Sequence, residues 1–194
     1  MPDSVPRLRP AQLDDFADAI RSRRSIDLFE PGAPGTEVLL QAIELARWAP
    51  NHRLTEPWRF YLIGERTADD IVRFAAEFET AVKGEQAGAA RFARLKAIPA
   101  FFVLTCRKSD DALLQQEDYA ACCCAAQNLM LYLWQCGIGV KWTTGAMTRE
   151  RRFYEIVGID PAAEMLVGFF WYGRPKVVPS KKRREVAAIV VQRP

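Results

Sequence analysis

Apolar residues recur every three or four positions in four stretches of the chain, the spacing that places side chains on one face of an α-helix. The stretches are residues 12–22, residues 36–48, a helix that begins at a capping box of Thr67 and Asp70, and residues 148–157, closed by Gly158. Residues 80–97 are helical in composition but weakly patterned, and they contain Gly84 and Gly88. We expect this part of the chain to be the most mobile.

Continuous apolar runs predict the strands, because a strand that is buried on both faces shows no alternation. Such runs occupy residues 58–63, 99–105 and 165–172, and shorter ones occupy residues 141–144 and 186–191. Helices and strands interleave without repeats or linkers. The sequence therefore predicts a single α+β domain over residues 1–194, with residues 1–11 as a flexible N-terminal segment.

Residues 120–140 form a long apolar segment, which is compatible with a membrane span or with a helix at about residues 116–136 that is apolar nearly all round and buried on every side. Gln127, Asn128 and Gln135 interrupt the segment, and amide groups are costly at membrane depth. We therefore expect a helix buried inside the domain or across an oligomer interface. The N-terminus has no apolar signal core, so we expect a soluble, cytoplasmic protein without membrane contact.

Composition narrows the function classes. The 194 residues are 49% hydrophobic and 26% charged, which is typical of globular proteins and excludes a disordered chain. A net charge of +3 is too small to indicate a nucleic-acid binder. Three of the five cysteines are consecutive, at residues 122–124, and consecutive residues diverge around a helix. We therefore expect free, mostly buried thiols and no metal site.

Three polar clusters interrupt this apolar pattern. Cations at the end of the first helix either offset its dipole or form an anion site of Arg23, Arg24 and Ser25. The basic run at residues 181–184 is either a solvated tail or a second contact to the same anion. The loop at residues 49–58 contains Asn51 and His52. The chain has no P-loop, no Gly-x-Gly-x-x-Gly and no Gly-x-Ser-x-Gly motif, so a bound cofactor is expected to carry any chemistry.

Together with two further motifs, these clusters resemble the FMN-dependent nitroreductase family. The motifs are Arg23-Arg24-Ser25, Ala49-Pro50-Asn51-His52 with residues 56–60, residues 126–131 with the glycine turn 137–139, Trp142-Thr143-Thr144-Gly145, and the basic tail. They occur in the family's order between about residues 21 and 190. The short length and the Ala-Pro-Asn-His motif are similar to the compact branch of NAD(P)H nitroreductases.

The resemblance implies a nitroreductase-like fold, with a central, mostly antiparallel sheet flanked by helices and a homodimer formed through the long apolar helix. It implies that FMN is held at its phosphate and ribityl chain by Arg23, Arg24, Ser25, Lys181 and Arg183. The ring would lie along Trp142, Thr143, Thr144 and Gly145. Two subunits would share each flavin, since the partner would contribute Pro50, Asn51 and His52. The tail, residues 180–194, would pack on that partner or reach toward it.

The activity implied by the resemblance is ping-pong hydride transfer from NADH or NADPH through FMN to nitroaromatic, quinone or similar electron-poor small molecules. No side chain is expected to act as a catalytic acid or base, because the flavin carries the chemistry. One alternative is a non-catalytic flavin-binding protein for FMN storage or sensing. The other is a small basic nucleic-acid module, which is disfavoured because aromatic residues are not interleaved with the basic runs.

Overall fold

The computed structural model describes residues 10–193, which form a four-stranded sheet with helices on both faces. The strands are β1 (Trp58–Leu62), β2 (Ala100–Arg107), β3 (Gly139–Thr143) and β4 (Glu164–Gly173). They lie in the order β1-β2-β4-β3, and every neighbouring pair is antiparallel. The helices are α1 (Pro10–Ser22), α2 (Thr36–Ala46), α3 (Glu65–Lys83), α4 (Glu85–Lys96), α5 (Ala112–Gln135) and α6 (Arg151–Val157). The α+β class and the antiparallel sheet are confirmed.

The sheet separates two apolar cores, one on each face. Phe102 and Leu104 of β2 pack with α2 and α5, whereas Phe101 and Val103 pack with α3, α4 and α6. Because both faces are covered, β2 and β4 are buried at nearly every position. This double burial is why continuous apolar runs predicted the two strands correctly.

A bulge in β4 fixes the end of the neighbouring edge strand. The pairing of β2 with β4 is irregular at Val167, and the next residue is Gly168. The missing side chain at Gly168 leaves room for the indole of Trp142, whose Nε1 donates to the carbonyl oxygen of Val167 at 2.9 Å. The Trp142 ring also packs against Phe170, with centroids 5.2 Å apart. The end of β3 is therefore held firmly against the sheet.

Helix α5 begins earlier than predicted and is less enclosed. Asp111 is its N-cap, and its Oδ1 accepts the backbone N–H groups of Leu113 at 2.9 Å and Leu114 at 3.2 Å. Ala120 and Cys124 are exposed, so burial on every side is not reached within one chain. None of the helices within residues 10–193 is both long and apolar enough to cross a membrane.

Several local predictions need correction. Gly64 takes the N-cap position of α3, so Thr67 lies inside the first turn and no capping box forms. Gly158 closes α6 as predicted, in the left-handed conformation with φ 79°, but residues 146–149 form a separate 3-10 turn. The predicted strand at residues 186–191 is wrong, because within the described chain no sheet edge pairs with it, and a 3-10 turn forms at Val186–Ala188.

Two further expectations concern the thiols and the N-terminus. All five cysteines are free, but only two are buried, and the expectation of mostly buried thiols was wrong for Cys124 and Cys136, which are exposed. Of the segment predicted to be flexible, residues 1–9 lie outside the described part of the chain. Residues 10 and 11 begin α1. The predicted mobility of residues 80–97, which form the end of α3 and all of α4, stays a prediction.

The bulge generates a test of packing. A Cβ atom at Gly168 would lie 2.2 Å from Nε1 of Trp142, so Gly168→Ala should displace the indole. We expect the free energy of unfolding to fall by about 1–3 kcal/mol, the usual cost of overpacking, as measured by urea denaturation. In the Trp142→Ala background the indole is gone and only the Phe170 ring, 2.8 Å from the added Cβ, has to move, so the same substitution should cost less. An equal cost in both backgrounds would contradict this account of the bulge.

Candidate functional site

Two arginines at the C-terminal end of α1 have polar atoms without partners. Arg23 and Arg24 are half-buried, and the Nε atom of each is buried with no hydrogen-bond partner among residues 10–193. Arg24 Nη1 donates to the carbonyl oxygens of Arg21 at 2.5 Å and Arg23 at 2.8 Å, which satisfies carbonyl groups at the helix end. Among the described residues nothing accepts from the two Nε donors, so an acceptor from outside them would satisfy both.

The C-terminal tail adds a third guanidinium group to this arginine cluster. Burial lowers the pKa of Arg23, and the nearby cations of Arg183 and Arg24 lower it further. Within the described chain, no carboxylate contributes to this balance. A bound anion would offset both the burial and the repulsion. Lys181 is exposed and forms no ion pair within residues 10–193, so the described contacts connect only Arg183 of the two predicted tail residues to the cluster.

Backbone pairing joins the arginine cluster to the edge strand. Ser25 forms a parallel bridge with Val140 of β3, and the N–H of Ile26 donates to the carbonyl oxygen of Val140 at 3.2 Å. Ile26 is fully buried and lies so close to Gly139 that a Cβ atom there would be 2.4 Å from it. The segment after α1 is therefore held beside β3, and Ser25 lies between the arginines and the strand.

The end of β3 presents main-chain groups rather than side chains. The indole of Trp142 is turned into the sheet by its bond to the bulge, and the Thr143 hydroxyl donates to the carbonyl oxygen of Phe169 at 2.6 Å. Thr144 and Gly145 are exposed and follow the last paired residue of the strand. Their N–H groups therefore lie beyond the β-ladder, in reach of a ligand.

A cavity of about 680 Å³ opens beside this end of β3, between the strand and the hairpin of α3 and α4. Thr143 and Gly145 line one wall, and Trp171 lies at the sheet side. The remaining wall includes four cations that sequence reasoning missed: Lys83, which pairs with the carboxylate of Glu79 in the same wall, and Arg91, Arg94 and Lys141. The only signal in the sequence was the i,i+3 spacing of the two arginines, because α4 and β3 meet only in the folded chain. A second cavity, of about 730 Å³ between α1 and α5, contains none of the predicted site residues.

One carboxylate organises the cavity cations. Asp27 accepts from Arg94 at 2.8 Å and from Lys141, and these bonds, the one from Lys141 foremost, hold the pKa of Asp27 below its ordinary value. Lys141 and Arg94 lie over the Trp171 ring, at 5.0 and 5.4 Å from its centroid, and Arg91 lies at 5.6 Å. Burial lowers the pKa of Arg91, and Arg94 lowers it further. The cavity therefore favours negative charge.

The remaining predicted residues are Pro50, Asn51 and His52, which lie in a loop. This loop is far from the arginine cluster. Thr55 of this loop donates its hydroxyl to Asp118 Oδ1 of α5 at 2.5 Å. The arginine cluster adjoins the other end of α5, where Trp134 Nε1 donates to Ser22 Oγ at 2.9 Å. Sixteen residues of helix separate Asp118 from Trp134, which is about 24 Å along the axis. Within one chain, the loop with Asn51 and His52 and the arginine cluster therefore do not meet.

The fold and the site define an α+β protein with a cluster of arginines beside an edge strand, whose buried Nε atoms have no partner among residues 10–193. The model of the nitroreductase family matches residues 20–174. YfhC of Bacillus subtilis (strain 168), provisionally named an NAD(P)H nitroreductase, is 30% identical over 171 residues, which are 86% of this chain and 88% of YfhC. The chain belongs to the nitroreductase family.

Solved structures share the whole fold. A nitroreductase-like family protein from Bacillus cereus is 28% identical, with a TM-score of 0.78 over 97% of this chain and 98% of that chain. A provisionally named nitroreductase from Desulfovibrio desulfuricans, solved in complex with FMN, is 20% identical, with a TM-score of 0.74 over 97% of this chain and 99% of that chain. At this lower identity, the likeness concerns the fold.

The charge balance in the cavity gives a prediction with a defined pH dependence. Because the folded-state pKa of Asp27 is lowered, its ion pairs stabilise the protein above the ordinary pKa of about 4 and are lost as the pH falls through the folded-state value. Asp27 is largely exposed, so Asp27→Asn should lower the free energy of unfolding at pH 7 by only about 0.5–1 kcal/mol. In urea denaturation at pH 3, the difference in free energy of unfolding between the wild-type chain and Asp27→Asn should be smaller than at pH 7.

The matched control for Asp27→Asn is Glu30→Gln, which removes an exposed carboxylate that forms no ion pair within residues 10–193. This control should be neutral at both pH values. A loss for Asp27→Asn that is the same at pH 3 and pH 7 would show that the charge is not its cause.

Proposed function

We propose that this protein is an FMN-dependent NAD(P)H oxidoreductase of the nitroreductase type. The observation that carries the proposal is the pair of buried Nε atoms of Arg23 and Arg24, which have no partner in the part of the chain that the structure describes, with Arg183 beside them. A phosphate monoester offers several charged acceptor oxygens to such donors, and guanidinium groups bind it in a fork. The FMN in the Desulfovibrio protein and the provisional name of YfhC support this cofactor and NADH or NADPH as the electron donor.

The end of β3 and its cavity are suited to the ring of the cofactor. Thr144 and Gly145 can donate their N–H groups to ring atoms without disturbing the sheet, and Trp142 can contribute only its main chain. The cations Arg91 and Lys141 favour negative charge in the same cavity. When bound, FMN supplies hydride transfer, from NAD(P)H in one half-reaction and to an acceptor in the other.

The acceptors that fit this site are planar, electron-poor small molecules such as nitroaromatics and quinones. The hairpin side of the cavity offers apolar surface from Phe78 and Val82, on which a flat ring can pack. Arg91 and Arg94 of α4 and Lys141 of β3 offer cations, which attract the partly negative oxygens of a nitro or quinone group. The chain itself binds and orients, and no side chain acts as an acid or base.

The complete site is proposed to form between two copies of the chain. The loop containing Asn51 and His52 lies about 24 Å along α5 from the arginine cluster of its own chain. A second copy that packs against the partly exposed α5 can supply the loop in trans. The exposed apolar residues of the tail are consistent with the same association, since they gain cover from a partner: Val177, Val178, Val186, Ile189, Val190 and Val191.

Absorbance spectroscopy tests the proposed activity. The purified protein should carry a flavin spectrum, NADH or NADPH should bleach it without oxygen, and a nitroaromatic or quinone should restore it. Binding without bleaching by either nicotinamide would make the protein a store or sensor of FMN. A chain that binds no FMN would contradict the proposal.

The arginine cluster gives a prediction for affinity. Arg23→Ala removes a charge-assisted contact to the phosphate and should raise the Kd for FMN roughly ten- to a hundredfold. Titration of the apo-protein, followed by quenching of FMN fluorescence, measures this change. Arg21→Ala is the control, because Arg21 belongs to the same helix end but is exposed and pairs with Asp18. Equal affinities for the two variants would remove Arg23 from the site.

Mixed dimers test whether the site is shared. Arg23→Ala and Asn51→Ala should each weaken FMN binding in homodimers, because each removes one half of every site. A heterodimer of the two variants, isolated with two affinity tags, should regain one site of wild-type affinity per two chains. If each chain holds a whole site, the mixture recovers nothing.

A further inference from the structure

The loop that follows His52 has an unusual backbone. Arg53, Leu54 and Glu56 have φ values of 54°, 52° and 43°, the left-handed region that residues other than glycine rarely adopt. Each such residue is unfavourable by itself, so three within four positions persist only where surrounding contacts determine their conformation. The residues that make those contacts therefore control the shape of the turn, residues 53–56.

Side chains hold the turn at its base and at its centre. Asn51 closes the base, since its Oδ1 accepts the N–H of Glu56 at 3.0 Å and its Nδ2 donates to the carbonyl oxygen of Ala49 at 3.2 Å. At the centre, the Thr55 hydroxyl donates to Asp118 Oδ1 at 2.5 Å. The turn is thus tied directly to helix α5.

Asp118 occupies a costly position. Its side chain is 1% exposed, it forms no ion pair within residues 10–193, and the Thr55 hydroxyl is its one side-chain donor there. A buried carboxylate without a cation is unfavourable for stability. At the tip of the turn, the apolar side chain of Leu54 points outward and is 81% exposed. The buried carboxylate therefore holds a turn whose outermost side chain, Leu54, has few contacts within its own chain.

We propose that Asp118 is a positioning residue for the cofactor site of the second copy. Acting through Thr55, its carboxylate holds the turn in the shape that places His52 and Leu54 against the cofactor bound at the partner's arginine cluster. The inference rests on the proposed two-chain FMN site. It adds to that site two residues, Asp118 and Thr55, that touch neither cofactor nor acceptor.

Substitution of Thr55 tests the inference in the full-length dimer. Thr55→Val keeps the shape but removes the donor, so the Kd for FMN should rise about tenfold and the visible circular dichroism of bound FMN should change. Thr55→Ser restores the hydroxyl and should restore both signals. Thr67→Val is the control, because the Thr67 hydroxyl makes no side-chain hydrogen bond within residues 10–193, and it should leave both signals unchanged.

Mixed dimers distinguish positioning in trans from a general loss of structure. A dimer with Thr55→Val in one chain and Arg23→Ala in the other should retain one intact site. A dimer with both substitutions in the same chain, beside a wild-type chain, should retain none. If Thr55→Val does not fold because it strands the buried carboxylate, Asp118→Leu removes charge and bond together and should show the same loss of affinity.

Wild-type affinity and dichroism in Thr55→Val, or in Asp118→Leu, would overturn the inference while leaving the proposed FMN site intact. The opposite pattern in the two mixed dimers would overturn it as well. A wild-type chain that binds no FMN would overturn the proposed function, and this inference with it.

Discussion

The fixed length of helix α5 is the constraint on which the arrangement of the site depends. An α-helix does not shorten, so groups attached at Asp118 and at Trp134 stay a set distance apart. One face of α5 is packed against the sheet and α2, which prevents the helix from bending enough to bring its ends together. The strained turn and the arginine cluster therefore lie near opposite ends of α5, and in the proposed shared site a second copy joins them.

Positive charge is used in two different ways around β3. Arg23 and Arg24 are half-buried, and their Nε donors meet no acceptor in the described chain, so in the proposed site a bound anion would satisfy them. Arg94 and Lys141, in contrast, already share Asp27, which holds both in place before any ligand arrives. The first group can bind, and the second can set the electrostatic potential of a preformed cavity.

Elements buried on both sides were predictable, because burial leaves a continuous apolar run; β4 was predicted at residues 165–172 and lies at Glu164–Gly173. Errors arose where the outcome depends on distant partners. Residues 186–191 have the composition of a strand but no edge to join within the described chain. For the site, short motifs identified Arg23 and Gly145, and the fold places both along β3. Because Ser25 pairs in parallel with Val140, Arg23 lies toward the start of β3, whereas Gly145 follows its end. Arg91 and Lys141 could not be found in this way, since they meet only across α4 and β3.

The proposed division of the site between the two ends of α5 would also affect how the protein matures. In the proposed two-chain site, a newly made single chain has the arginine cluster but lacks the partner's loop with Asn51 and His52. It would therefore bind the cofactor only weakly. Retention of the cofactor then depends on the square of the chain concentration, as pairing does. Chains that remain unpaired would remain without cofactor. The fraction of chains with bound cofactor would therefore measure the fraction that is dimeric. If a cell made less of this chain, the amount of cofactor-bound protein would fall more steeply than the total amount of the protein.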